Sequence, residues 1–243
     1  MSDRWRWEYD PDRAHVADGL PPRVVHEVER LADHPAVRRT VTGTAPSADG
    51  KRAHRADMPV EDFEELAARA PETVWLEFLD GRLLVKPPSD GAHGELLREM
   101  TGLFLDLSPD LWLYPWRGLR LGDSRLRPDG TLAPRRHFRG AGEWAAPAGA
   151  LLTLDVVAAP SPARIRAHAA ARLPLHLLVE RERRTLTVCA EPHDDGYRGV
   201  TTRPLGVPAE LPAPLGLSLD TVTLAALTPP APPASPAPPA PAS

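Results

Sequence analysis

The 243-residue chain carries a formal net charge of −4, 42% apolar residues and one cysteine, enough for one domain of ordinary size plus appendages. That charge denies it an overall basic footprint for constitutive nucleic-acid binding, and the lone Cys189, set in the strand-like run 185–190, excludes an internal disulfide and reads as a buried, inert thiol. No stretch approaches the ~20 apolar residues of a membrane span and the first eight residues lack the apolar core of a secretory signal, so no membrane partner and a cytoplasmic location are expected.

Residues 1–34 form a small amphipathic unit, with Trp5, Trp7 and Tyr9 alternating as on a strand and Val24, Val25, Val28 and Leu31 at helical spacing. Residues 35–57 are polar and aperiodic and read as a flexible linker. The main domain is expected over 58–228. It opens with a helix at 58–69, acidic in its first turn where the helix dipole favours negative charge. A hairpin over 73–85 turns at Asp80-Gly81, a strong turn pair between β-prone arms. His93 to Leu107 follows as a helix with Leu96, Leu97, Met100, Leu103, Phe104 and Leu107 along one face. One or two strands fill 111–121, a short helix 163–172, and strands 173–180, 185–190 and 197–204. This order describes a mixed α/β (α+β) domain built on one layered sheet. Residues 229–243 are Pro, Ala and Ser only, a composition that suits a disordered tail with polyproline II bias.

The chemistry concentrates in Arg125-Leu-Arg-Pro-Asp-Gly-Thr131 and the apolar run 151–157. Asp155 sits inside what reads as a core strand, where an unpaired carboxylate costs several kcal/mol. Two partners stay open for it: a divalent cation, held by one or two carboxylates plus waters and substrate phosphate oxygens, or a salt bridge from one of the many arginines. The chain has only two lysines, Lys51 and Lys86. His54, His137, His176 and His193 show no metal-ligand spacing. Phosphate-binding glycine loops and a nucleophile elbow around Ser161 are absent.

Several motifs in order carry a resemblance: Glu77-Phe-Leu-Asp-Gly, Pro87-Pro-Ser with His93, Arg127-Pro-Asp-Gly, Leu154-Asp-Val-Val with a nearby Ser-Pro, and Leu173-Pro-Leu-His-Leu-Leu-Val-Glu. From about Met58 to Leu227 the chain resembles the Uma-two family of restriction-endonuclease-like proteins. The resemblance implies a PD-(D/E)xK core of mixed sheet flanked by helices, with Mg²⁺-dependent cleavage of DNA (Mn²⁺ as substitute), and a homodimer by analogy with nucleases that cut both strands. It assigns Asp129 and Asp155 as metal ligands assisted by Glu77, and His93 as the histidine opening the helix. The family usually has glutamate where Asp155 stands, so the carboxylate retracts by about 1.5 Å. The slot of the family's helix lysine falls on Arg164 and that of its tyrosine on His168. Arginine stabilises a pentavalent phosphate but does not give up its proton near neutral pH. The alternative expectation is therefore a catalytically inactive nuclease-fold scaffold that binds nucleic acid or a protein partner.

Overall fold

The Asp80-Gly81 turn closes as its residue types predict, with φ of 50° and 77°, the pair of left-handed residues that a two-residue hairpin needs. It joins β2 (Trp75–Leu79) to β3 (Arg82–Lys86) and fixes the register Leu79↔Arg82, Glu77↔Leu84 and Trp75↔Lys86. In this computed structural model the described residues are 59–70, 75–86 and 89–228, together with the backbone of β1 (Trp7–Glu8), which pairs antiparallel with β3. The helix expected near 21–32, the linker and the proline-rich tail lie outside the described residues.

Where one layered sheet was expected, the strands divide between two larger sheets and a small one. The first has the order β1-β3-β2-β6-β5, with β5 (Leu119–Leu121) and β6 (Ser124–Leu126) forming a second hairpin. One face of β2 carries Leu76 and Phe78, and α1 (Val60–Arg69) stacks Phe63 on Phe78 at a ring distance of 5.0 Å. Arg125 ties this layer together, donating from Nε to Glu64 Oε1 at 2.6 Å and from Nη1 to the carbonyls of Gly122 and Ser124. The short strands β5 and β6 close the sheet where sequence periodicity had too few residues to show two separate elements.

The second sheet has the order β11-β10-β9-β8-β7-β4, formed by β4 (Leu111–Pro115), β7 (Gly130–Pro134), β8 (Leu152–Val157), β9 (Leu175–Glu180), β10 (Thr185–His193) and β11 (Gly196–Pro204). Opposed residues in adjacent strands share a face. The row Leu113–Leu132–Leu152–Leu175 and the row Leu154–Leu177–Val188 therefore lie on one side. Against it α2 (Gly91–Leu107) lays Leu96, Leu97, Met100 and Phe104, and residues of β12 (Ala209–Leu211), β13 (Leu217–Leu219) and α4 (Val222–Leu227) complete the main core. The opposite face carries Tyr114, Thr131, Thr153 and His176 in one row and Asp155 with Leu178 in the next. Because β8 and β9 run parallel, the chain must cross back between them, and α3 (Pro162–Ala170) makes that crossover over the polar face. Cys189 is buried, and burial pushes its thiol up to about 11.

Candidate active site

Glu77, Asp129 and Asp155 are 4%, 2% and 2% exposed, and each comes from a different strand or strand edge. Glu77 is the central residue of β2, Asp129 directly precedes β7, and Asp155 lies within β8. The proline and glycine around Asp129 have a local reason. A Cβ on Gly130 would lie 2.7 Å from Leu113 Cδ1, so only glycine lets β4 approach there. The pairing of β7 with β8 then lets the two aspartates interlock. Val156 N–H donates to Asp129 Oδ2 at 2.7 Å, and Asp129 N–H donates to Asp155 Oδ1 at 3.3 Å.

Arg164 closes this group from α3. Ser161 caps the helix and Pro162 occupies its first turn, where a missing N–H is harmless, and Arg164 follows on the side facing the sheet. Its guanidinium donates from Nη1 and Nη2 to the two oxygens of Glu77 at 2.7 and 2.9 Å and from Nε to Asp155 Oδ2 at 2.8 Å, with a longer contact from Nη2 to Asp155 Oδ1 at 3.3 Å. Glu77 Oε1 also accepts from Arg127 N–H at 2.6 Å, so both its oxygens are engaged. Of the two partners the sequence left open for Asp155, the arginine is thus in place.

A second cation comes from β3. Lys86 Nζ lies 2.8 Å from Asp129 Oδ1 and 3.9 Å from Asp155 Oδ1, and it donates to the carbonyl of Arg127. Sequence reasoning missed this lysine, yet the signal was present. The two-residue turn fixes the hairpin register, and that register puts Lys86 on the Glu77 side of the hairpin, one cross-strand pair away. His93, the third residue of α2, is held by the Asp90 cap, whose Oδ1 accepts its backbone N–H at 2.7 Å, and its Nε2 lies 3.3 Å from Asp129 Oδ1. Lys86, His93 and Arg164 are 12%, 13% and 14% exposed in their side chains, so the carboxylates form the floor and these three groups the rim.

The electrostatics follow this layering. Burial pushes Asp155 up, but Arg164, Lys86 and the nearby histidines outweigh it and hold its carboxyl well below the usual range. Asp129 is likewise raised by burial and brought below its ordinary value by Lys86 and His93, against the repulsion of Asp155. Glu77 is raised by burial and lowered in the same contest by Arg164 and then Lys86. Arg164 is pushed down by burial and far more strongly up by Asp155 and Glu77. Three carboxylates thus meet the side chains of Arg164 and Lys86.

Below Arg164 the residue in the family's tyrosine slot, His168, meets His176, for which the sequence offered no role. His168, one helical turn on, and His176 of β9 are fully buried, stacked at 4.2 Å with 13° between their planes. A carbonyl only accepts, so His168 Nδ1 donates to Arg164 O at 2.8 Å, while His176 Nδ1 bonds the Thr153 hydroxyl at 2.9 Å. Burial is the main force driving both rings to the neutral form, His168 to about 4 and His176 well below its usual value. Asp155, His168 and His176 therefore make a buried group of potential metal ligands with donor atoms within 4.8 Å of one another. The two ring planes are nearly parallel, so one ion cannot lie in both of them. Arg164 already takes Asp155 Oδ2. The oxygens better placed for a cation are Asp129 Oδ1, buried with no aligned hydrogen bond beside Lys86 at 2.8 Å and His93 Nε2 at 3.3 Å, and the loosely held Asp155 Oδ1. An all-oxygen pair of this kind fits a hard divalent ion such as Mg²⁺ or Mn²⁺.

A crossover helix over a mixed sheet, with acidic side chains converging where the strands meet it, defines a restriction-endonuclease-like protein. The chain belongs to the Uma2 family, whose model, described as "Putative restriction endonuclease", matches residues 60–224. Among solved structures, one described as a putative nuclease belonging to DUF820, from Anabaena variabilis, aligns with a TM-score of 0.56 at 14% identity, covering 70% of this chain and 98% of that one. At that identity the likeness shows the fold. No curated protein matches the chain. No helix among the described residues is long and apolar enough to cross a membrane.

Proposed function

We propose that the chain hydrolyses phosphodiester bonds of DNA with the help of a divalent cation, Mg²⁺ or Mn²⁺, held by Asp129 and Asp155. The observation that carries this reading is the convergence of Glu77, Asp129 and Asp155 under Lys86 and Arg164, with Asp129 Oδ1 buried and without an aligned hydrogen bond. When bound, the cation would polarise the phosphate and lower the pKa of the attacking water.

The chain's own residues divide the remaining work. Arg164, fixed by Glu77 and Asp155, is spent on holding the two carboxylates in place, and Glu77 serves as its anchor. Lys86 is a compact charge on a flexible stem with three rotatable donors, and at 2.8 Å from Asp129 it is placed to orient the water and to meet charge developing on the phosphoryl oxygens. His93 lines the solvent side of the same oxygen. The water oxygen forms the new bond to phosphorus, one ester P–O bond breaks, and the proton lost by the water is balanced by the one the leaving alkoxide gains.

The test is nicking of supercoiled plasmid in Mg²⁺ and in Mn²⁺ beside Asp129→Asn, which preserves the acceptor for Val156 N–H. Nicking that disappears in the variant supports the reading; no nicking in either metal by the native chain removes it. One observation favours a second reading, an inactive scaffold that binds nucleic acid. Lys86 Nζ stands between the two Oδ1 atoms, on the ground a metal ion would occupy. On that reading Lys86→Ala gains Mn²⁺ affinity in titration calorimetry while the native chain shows none.

A further inference from the structure

Among the described residues the strand β4 is one of the two edges of the six-stranded sheet, and register places its Tyr114 in one row with Thr131 and Thr153, on the same face as Asp155. Two residues earlier on that face stands Trp112, 38% exposed. Both rings line a shallow cleft of about 520 Å³ whose remaining walls are Arg117, Phe138, Arg136 and Arg139. Arg136 and Arg139 are exposed, and neither has a carboxylate within 4.0 Å among the described residues. Arg135 lies over Trp112 at 5.0 Å and Arg117 over Phe138 at 5.5 Å, so cations and rings alternate along the wall. In a chain of net charge −4 this is a local concentration of unpaired positive charge.

The cleft walls are linked to the carboxylates through neighbouring residues. Arg117 is lowered by burial and, next, by the charge of Arg127 beside it. Arg127 in turn gives its N–H to Glu77 and its carbonyl to Lys86. Trp116, directly after β4, donates its backbone N–H to the carbonyl of Asp129 at 3.2 Å. By register Asp155 stands two strand spacings across and two residues along from Tyr114, about 10 Å and about 7 Å, and Tyr114 packs against the buried cluster that includes Ala133 and Phe138.

We propose that this cleft is a docking groove for one single strand of nucleic acid, with Arg117, Arg136 and Arg139 meeting its phosphates and Trp112 and Tyr114 stacking on its bases. Charge complementarity selects a polyanion. Rings standing at an open sheet edge, in a shallow cleft, select unpaired bases, because the π-faces of paired bases are covered within the duplex. The inference deepens the nuclease reading by naming the substrate form, and it rests on that reading only in taking the bound strand as the substrate.

The experiment is a fluorescence-anisotropy titration of a labelled 20-nucleotide single strand with the full chain in EDTA, repeated over a series of NaCl concentrations. Native protein binds, and R136E/R139E binds at least tenfold more weakly. Losing two phosphate contacts should also reduce the slope of log affinity against log salt by about 1.4. W112A, which leaves the charges in place, weakens binding by about tenfold with the salt slope unchanged. Native-like melting of both variants rules out unfolding as the cause. Undiminished binding by R136E/R139E, no strand binding by the native chain, or tighter binding of the matching duplex each overturns the proposal. The two readings fail separately. Strand binding without plasmid nicking leaves the cleft and removes the nuclease, whereas nicking by a chain whose strand affinity ignores R136E/R139E does the reverse.

Discussion

Replacing Arg164 by lysine keeps a positive charge but loses the planar fork that reaches Glu77 and Asp155 together. We expect Arg164→Lys to lower stability by about 1–3 kcal/mol and Arg164→Ala by about 3–5 kcal/mol, since each leaves buried carboxylates short of donors; urea unfolding measures both. On the proposed division of work the lysine also adds no activity, because Lys86 already supplies the mobile cation. The buried histidines give a pH signature with a fixed sign. His168 is depressed to about 4 from an ordinary 6.5, so below pH 6.5 the unfolded chain takes up a proton that the folded chain refuses. Stability therefore falls as pH drops from about 6.5 towards 4, by up to ~1.4 kcal/mol per pH unit for each such ring. The lowered carboxylates add to this loss only further down, because their contribution is complete above their ordinary values and is lost as pH falls through the depressed ones. Melting temperatures across pH 7 to 4 check it, with His168→Gln expected to flatten the slope by about one proton.

At the scale of elements, Gly130 is a point where strand packing and site placement coincide. The Cβ of Gly130→Ala would press on Leu113 from 2.7 to 3.1 Å, and overpacking of this kind costs about 1–3 kcal/mol. Because Asp129 is the preceding residue, nicking activity should fall by more than the stability loss explains, which thermal melting and the plasmid assay measured together will show. This is also the scale at which the sequence was most and least readable. The β2–β3 hairpin and helix α2 were legible because turn chemistry and apolar period are local signals. The three-residue strands β6, β12 and β13 were not, since three residues hold barely one period. The division into two sheets depends on which strand edges pair, and nothing in a strand's own residues states that. Asp129 and Asp155 stood out as acids in apolar or proline-flanked surroundings. Lys86 did not, because its partner Asp129 lies far along the chain and is met only after the hairpin folds against β7.

At the scale of the whole molecule, the two faces of the six-stranded sheet have separate tasks. One buries leucines against α2, and the other holds the charged floor under α3. A cation bound at that floor adds stability only to the folded chain. If it binds with a dissociation constant near 1 mM, 10 mM Mn²⁺ would add about 1.4 kcal/mol, or roughly 3–6 °C in melting temperature. Asp129→Asn should show no such rise, and scanning calorimetry with and without Mn²⁺ decides it.

The contact between Arg164 and Glu77 joins residues 87 positions apart in the chain, with consequences for the order in which the molecule assembles. The hairpin can zip from its own turn, but the guanidinium meets it only after the intervening strands have found their places and the parallel pair has formed. Contacts of such long range are made late on the path to the native state. Loss of the clamp should therefore quicken unfolding much more than it slows refolding, a difference that stopped-flow traces of Arg164→Ala would resolve. The charged floor would be the last part of this protein to come into being and the first to come apart.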